Sequence, residues 1–191
     1  MTINPVIEAI KSRRAIRSFE DKPVPDSAIQ TLLEAATYAP SAINIQPWKF
    51  TIMTDKEEMK QLSDMAKPVL IRALPDVGDE GLVGLKQRLS DPQYNIFYNA
   101  PLLIFVSGIK SPYAVYDCSM AAQNMMLAAY SLGIGSCWIG TAVPVANDLK
   151  VKAELGVPED HEVHAAIIFG YPKGVPKTPL KRPAQVLKRI D

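Results

Sequence analysis

The sequence predicts a single domain in which helices pack on both faces of a β-sheet, and three observations predict it. The chain has 191 residues, enough for one full core, whereas two halves would each bury too little surface to stand alone. The run from Leu102 to Val106 is apolar at every position, the pattern of a strand covered on both faces. Segments with apolar residues at helical spacing flank it, and one of them, Asp117 to Leu132, is apolar nearly all round. Such a helix must be buried on almost every side. A monomer of this size can scarcely arrange that, so a dimer with this helix near the interface is expected.

The elements follow in order. Val6, Ile7 and Ile10 mark a first helix ending near Arg14, after which Pro23 and Pro25 enforce an extended turn. Asp26 suits the N-cap of a second helix, with Ile29, Leu32, Leu33 and Ala36 inward and Pro40 marking its end. The segment PSAINIQPW, from Pro40 to Trp48, is too polar and proline-bounded for a regular element. It predicts an ordered loop leading into a strand from Lys49 to Met53. Asp55 caps a helix through about Ala66, and the stretch 67–93, with Pro68, Pro75, Gly78, Gly81 and Gly84, reads as a lid or insertion. Ile134 to Ile139 and Val163 to Phe169 read as strands with a helix around Val145 to Leu155 between them. Pro172, Pro176, Pro179 and Pro183 make the tail from Tyr171 extended. The tail is expected to lie along a surface, the partner's being one choice.

Composition narrows the function. With 48% hydrophobic and 21% charged residues and a formal net charge of +1, nothing calls for nucleic acid or an anionic membrane. The longest apolar run is too short to span a bilayer, and the first twenty residues lack the pattern of a secretory signal, so a cytoplasmic protein is expected. Cys118 and Cys137, the two cysteines, lie in apolar surroundings without a CxxC and read as buried thiols. His161 and His164, in the run HEVH, fall one residue short of HExxH and read as surface residues, not a metal site. Neither GxGxxG after a strand nor GxxxxGK occurs, so no separate dinucleotide or triphosphate domain is encoded.

Two constellations could carry chemistry. Arg13, Arg14 and Arg17 close the first helix, with Arg13 and Arg17 spaced for one helical face. Paired guanidinium forks suit a phosphate, and a solvated basic helix end is the alternative reading. In the proline-bounded loop, Ser41, Asn44 and Gln46 could read the polar edge of a planar heterocycle or simply cap a turn. Trp48 and Trp138 suit core packing or the cover of a flat ligand. Tyr94, Phe97 and Tyr98 could line an acceptor pocket or pack the lid.

Taken together, SRRAIRSF at Ser12 to Phe19 and PSAINIQPW at Pro40 to Trp48, one helix apart, resemble the nitroreductase family. The resemblance extends over the chain through the strand Pro101 to Val106, the Gln123-Asn124 pair, GIGSCWIG at Gly133 to Gly140, GYP at Gly170 to Pro172 and KRP at Lys181 to Pro183. It implies one α+β domain over residues 1–191 with a mixed central sheet flanked by helices. It also implies an intertwined homodimer with one FMN at each of two interface sites, the tail 171–191 packing on the partner. NADH or NADPH would be the donor and a small oxidised molecule the acceptor, in a ping-pong scheme that uses one pocket for both. The chemistry would lie on FMN, with no side-chain nucleophile.

By that resemblance Arg13, Arg14 and Arg17, near Ala15, contact the ribityl phosphate together with Lys181 or Arg182. Pro40, Ser41, Ala42 and Asn44, with Gln46 close behind, reach the flavin from the other subunit. The backbone amides of Ile139 and Gly140 face the reactive nitrogen of the ring, where donors would stabilise developing charge. Ala15 and Ala42 stand where serines are frequent, and Ile139 where some members carry a glutamate, so acceptor preference and potential do not follow from the family. A flavin reductase, a specialised reductive enzyme and a flavin-binding protein without turnover are the competing readings.

Overall fold

The computed structural model describes residues 4–75, 80–174 and 182–190, and local signals account for most of its elements. Asn4 caps α1 (Pro5–Ser12), its side-chain oxygen accepting from the Val6 and Ile7 amides at 3.0 and 3.3 Å, while Pro5 takes the first-turn position where a missing N–H costs little. α2 (Asp26–Thr37) starts from Pro25, which makes no side-chain cap. Asp26 is therefore not the N-cap that its residue type suggests, but lies in the first turn, where its charge complements the helix dipole. Ile29, Leu32 and Ala36 are buried.

Asp55 does cap α3 (Lys56–Ala73), accepting from the Glu57 and Glu58 amides at 2.8 and 2.9 Å. The helix runs beyond Ala66 and carries Pro68 inside it. Lys67 beside that proline is buried and anchored to Asp64 at 2.9 Å and to the Asp91 carbonyl at 3.1 Å. α4 (Glu80–Ser90) follows and packs on α3. The stretch 67–93 is thus largely helical where its prolines and glycines suggest irregular chain; burial of Leu62, Ala66 and Leu89 in one cluster outweighs their poor propensity. Gly78 lies outside the described residues.

The sheet joins β1 (Trp48–Met53), β2 (Leu102–Ile109), β3 (Gly135–Trp138) and β4 (His161–Gly170) in the order β1-β2-β4-β3. All three ladders are antiparallel. The α+β class stands, but the mixed sheet needs correction. β2 and β3 run in the same direction, linked by the crossover helix α5 (Ala114–Ser131), yet β4 enters between them and pairs antiparallel with both. The parallel contact among the described residues is an isolated bridge from Ala15 to Ser136. After β3 the expected helix divides into α6 (Val143–Ala146) and α7 (Leu149–Glu154). Asp148 caps the second, and Asn147 exchanges two bonds of 2.8 Å with the backbone of Val163.

Both sheet faces are covered. Phe97, Leu103, Phe105 and Ile168 fill the side beneath α3, and Leu102, Ile104, Val106, Ile167 and Phe169 the side beneath α2 and α5. α5 buries Ala114, Cys118, Ala121, Ala122 and Met125, while Val115, Tyr116 and Met120 remain outside. α1 rests on α5 without burying any residue. Both cysteines are buried and free. His161 is buried too, bonded to Asp160 at 2.8 Å, contrary to a surface reading. At three residues' spacing on a strand the two histidines face opposite sides, so they do not act as a pair. Among the described residues no helix is long and apolar enough to cross a membrane.

Candidate active site

α1 stops at Ser12 with Arg13 as its C-cap, so the shared helical face that the spacing suggests for Arg13 and Arg17 does not form. An extended path brings them together instead. The Ile16 N–H donates to Ser136 O at 3.0 Å and Ala15 bridges to Ser136, laying the segment along β3. The Glu20 N–H donates to Tyr171 O and the Lys173 N–H to Ser18 O, each at 2.9 Å, so the chain leaving β4 holds the segment from beyond. Gly135 and Gly170, paired in register, allow this close approach. A Cβ at Gly135 would fall 2.7 Å from Ile16 Cγ1, and one at Gly170 would fall 2.7 Å from Pro101 Cδ and 2.8 Å from the Phe19 ring.

The result is a cluster of like charges. Among the described residues Arg13, Arg14, Arg17 and Arg182 have no carboxylate partner. Burial holds the Arg13 guanidinium below its usual pKa, and the neighbouring charges of Arg14 and Arg182 push in the same direction. Arg14 donates to the carbonyls of Arg13 and Lys11, and its buried Nε has no partner; nor has the buried hydroxyl of Ser136. Burial raises the Cys137 thiol pKa while Arg17 and Arg13 draw it down, so both guanidinia act at the start of the same strand. Arg182, from the tail, is close enough for its charge to act on Arg13, while Lys181 lies outside the described residues. Partly buried cations with orphaned donors are a ready receptor for a phosphate.

Beside the cluster opens a cleft of about 170 Å³ lined by Arg17, Leu85, Leu89, Tyr94, Ile96, Tyr98, Cys137, Trp138, Ile139, Gly140 and Thr141. Arg17 lies 5.9 Å from the Tyr98 ring centroid. The Tyr94 hydroxyl donates to that of Tyr98 at 3.2 Å, with the rings edge to face at 6.0 Å, and burial, followed by this bond, pushes the Tyr94 pKa up to about 12. Phe97 belongs to the core and Trp48 packs there too, whereas Trp138 borders the cleft. The amide pair is narrowed by one: the Ile139 N–H donates to Ala166 O at 2.8 Å, because it prolongs the β3–β4 ladder. Gly140 opens a 3-10 turn, a position whose N–H has no intrahelical partner. Of the wider grooves, the one of about 470 Å³ between α2 and α5 holds no cation, and the lysines lining those of about 510 and 580 Å³ beside α3 are paired with Asp21 and Asp64, so the arginine-flanked cleft is the candidate site.

The loop expected at the flavin does not line this cleft within one chain. Ala42–Asn44 form a 3-10 turn, and Ile43, Asn44 and Gln46 have φ of 44, 59 and 52°, a left-handed run that is costly for a β-branched residue such as Ile43. The Gln46 amide donates to Ser41 Oγ at 3.0 Å, and the Gln46 and Asn44 side chains bond to each other at 3.1 Å. Asn44 Nδ2 and Gln46 Oε1 thus remain for a ligand. Ser136 was invisible as a site residue in the sequence, since its place depends on the long-range approach of the arginine segment. Asp117, which accepts from the Ala42 N–H at 3.1 Å, had a signal: it is the acid in an otherwise apolar helix.

Comparison with known proteins places the chain in a family. The family model described as Nitroreductase family covers residues 10–171. Among curated proteins the chain is 30% identical to the nitrobenzene nitroreductase of Ectopseudomonas oleovorans, over 90% of this chain and 88% of that one. It is also 30% identical to the NADPH-flavin oxidoreductase of Vibrio harveyi, over 97% and 73%. Among solved structures, a Bacteroides fragilis nitroreductase with bound FMN superposes with a TM-score of 0.82 at 34% identity, covering 98% of this chain and all of that one. With a family model that spans residues 10–171 and relatives at least 30% identical over most of both chains, the chain belongs to the nitroreductase family.

Proposed function

We propose that this protein is an FMN-dependent oxidoreductase that carries electrons from NADH or NADPH to small oxidised acceptors such as nitroaromatics and quinones. It works as a homodimer. The observation that carries this reading is the cluster of four guanidinia without carboxylate partners, with the orphaned Arg14 Nε and Ser136 Oγ beside it, directly next to a cleft that ends at the Gly140 amide. Those residues fit FMN. Arg13, Arg14, Arg17 and Arg182, with Lys181, would hold its phosphate; the Ser136 hydroxyl and the Gly140 N–H would meet the rest of the molecule. FMN when bound supplies the ring that takes and returns electrons.

The chain's own part is to bind, orient and exclude water. The arginines neutralise the phosphate, and the Gly140 N–H is a fixed donor at the end of the cleft. Tyr94, protonated far beyond neutral pH, is a hydrogen-bond donor there and not a base. No carboxylate lines the cleft, so the protein offers no acid-base side chain of that kind. Donor and acceptor use this cleft in turn, a reading supported by the lack of a second nucleotide-binding motif in the sequence.

Exposed apolar surface supports the dimer. Val6, Ile7 and Ile10 of α1, Val115, Tyr116 and Met120 of α5 and Ile43 of the loop face outward, far more than isolated exposed side chains require. A second copy covering α1 and α5 would also bring Pro40, Ser41, Ala42, Asn44 and Gln46 to the partner's cleft. Val186, Leu187 and Ile190 of the tail, exposed as well, would find apolar cover on that partner. Steady-state rates with donor varied at several acceptor concentrations test the one-cleft scheme: parallel double-reciprocal lines are expected, and lines that intersect would require donor and acceptor to be bound together.

A further inference from the structure

We infer that Asp117 and Asn124 form a two-point clasp through which α5 fixes the loop 40–46 in its flavin-contacting shape, making both positioning residues for the cofactor. The inference rests on the FMN reading above. The two residues stand seven apart, two helical turns, and so share one face of α5. Both reach the same neighbouring segment. Asn124 Nδ2 donates to Ala35 O at 3.1 Å, a carbonyl in the last turn of α2 that also accepts the Tyr38 N–H at 3.3 Å. Asp117 Oδ1 accepts the Ala42 N–H at 3.1 Å, from a side chain only 3% exposed.

The Asp117 bond has no substitute. The other bonds of residues 40–46 run within the loop, from the Asn44 amide to Ser41 O, from the Ile45 amide to Ala42 O and from Gln46 to Ser41 and Asn44. Among the described residues, the Asp117 contact is the loop's one hydrogen bond to another element. Immediately beyond it come the left-handed residues 43, 44 and 46, with the Ile43 side chain 93% exposed. A loop free at this end would relax toward ordinary backbone conformations. The clasp keeps the strained shape and with it the directions in which Asn44 and Gln46 point.

The test is FMN titration of apoprotein, followed by quenching of flavin fluorescence, in the wild type, three single variants and one double variant. Asp117→Ala is expected to weaken binding at least tenfold, the scale of one bond to a charged group. Asp117→Asn, which keeps an acceptor oxygen, is expected to stay within about threefold of the wild type. Ala42→Pro deletes the donor, and Ser41 before it is already extended (φ −141°, ψ 155°), as a residue before proline must be. It should lose as much as Asp117→Ala, and the double variant little more, because both remove one bond. Hydrogen exchange of the Ala42 amide, fast in Asp117→Ala and slow in the wild type, reads the clasp without flavin. Unchanged exchange, Asp117→Ala binding FMN like the wild type, or additive losses in the double variant would each overturn it. A wild type that binds no FMN would instead overturn the cofactor reading, while the exchange result still decides whether the clasp exists.

Discussion

Arg17→Glu loses about a hundredfold or more in FMN affinity while the apoprotein folds as before. The argument begins with burial: Arg17 is exposed, and neither its backbone conformation nor the core depends on its side chain. Its charge, however, stands at the mouth of the cleft, near enough to Arg13 for both to act on Cys137. Losing a charge-assisted bond to an anion costs about 1.5–3 kcal/mol, and a carboxylate in its place adds repulsion, so roughly 3 kcal/mol, about two decades, is the expected scale. The apoprotein loses nothing comparable, since the substitution relieves a cluster of unpaired cations. Arg17→Gln should fall between the two. Because the attraction is partly screened by salt, the gap between wild type and variant should narrow as ionic strength rises. Fluorescence titration at two salt concentrations measures both effects, and affinity retained within threefold in Arg17→Glu would remove this residue from the site.

Gly135→Ala costs about 2 kcal/mol of stability and weakens FMN binding in the same protein. The added methyl would stand 2.7, 2.9 and 3.0 Å from Ile16 Cγ1, Cβ and Cγ2. Two of those atoms are near the backbone or branch point and cannot swing away, so the arginine segment must shift, at the usual cost of about 1–3 kcal/mol for overpacking. For a domain of this size that is a fall of roughly 4–8 °C in Tm. The shift strains the bond from Ile16 to Ser136 and moves Arg13 and Arg17 with it. Gly133→Ala is the control. Gly133 has φ of +71° and open space around its Cβ position, so alanine there costs about 1 kcal/mol of backbone strain and leaves FMN affinity alone. Equal effects of the two substitutions on flavin affinity would contradict the role given to the Ile16 contact.

What the sequence made legible was local. Amphipathic spacing marked α2, a run apolar nearly all round marked α5, the five apolar residues from Leu102 marked the central strand, and Asp55 marked the start of α3, because each depends on neighbours along the chain. What escaped depends on distance. The path of Arg13 to Arg17 along β3 is set by glycines more than a hundred residues away, so helical spacing misplaced the two arginines on a common face. The Ile139 amide is taken by a ladder bond to Ala166 whose partner no local pattern announces. The stretch 67–93 failed for the opposite reason: its prolines and glycines were read correctly as poor helix formers, and the packing of α3 against α4 overrode them. The order β1-β2-β4-β3, with β4 inserted between two strands of like direction, is likewise a tertiary choice.

The most direct test of the central claim is an absorbance spectrum of the purified protein under anaerobic conditions, before and after NADH or NADPH is added. The four guanidinia without carboxylate partners and the adjoining cleft predict flavin bands, present as purified or after supplying FMN, that bleach with at least one donor and return when a quinone or nitroaromatic acceptor follows. A folded protein that stays colourless when FMN is supplied, or whose bound flavin neither donor bleaches, would contradict it.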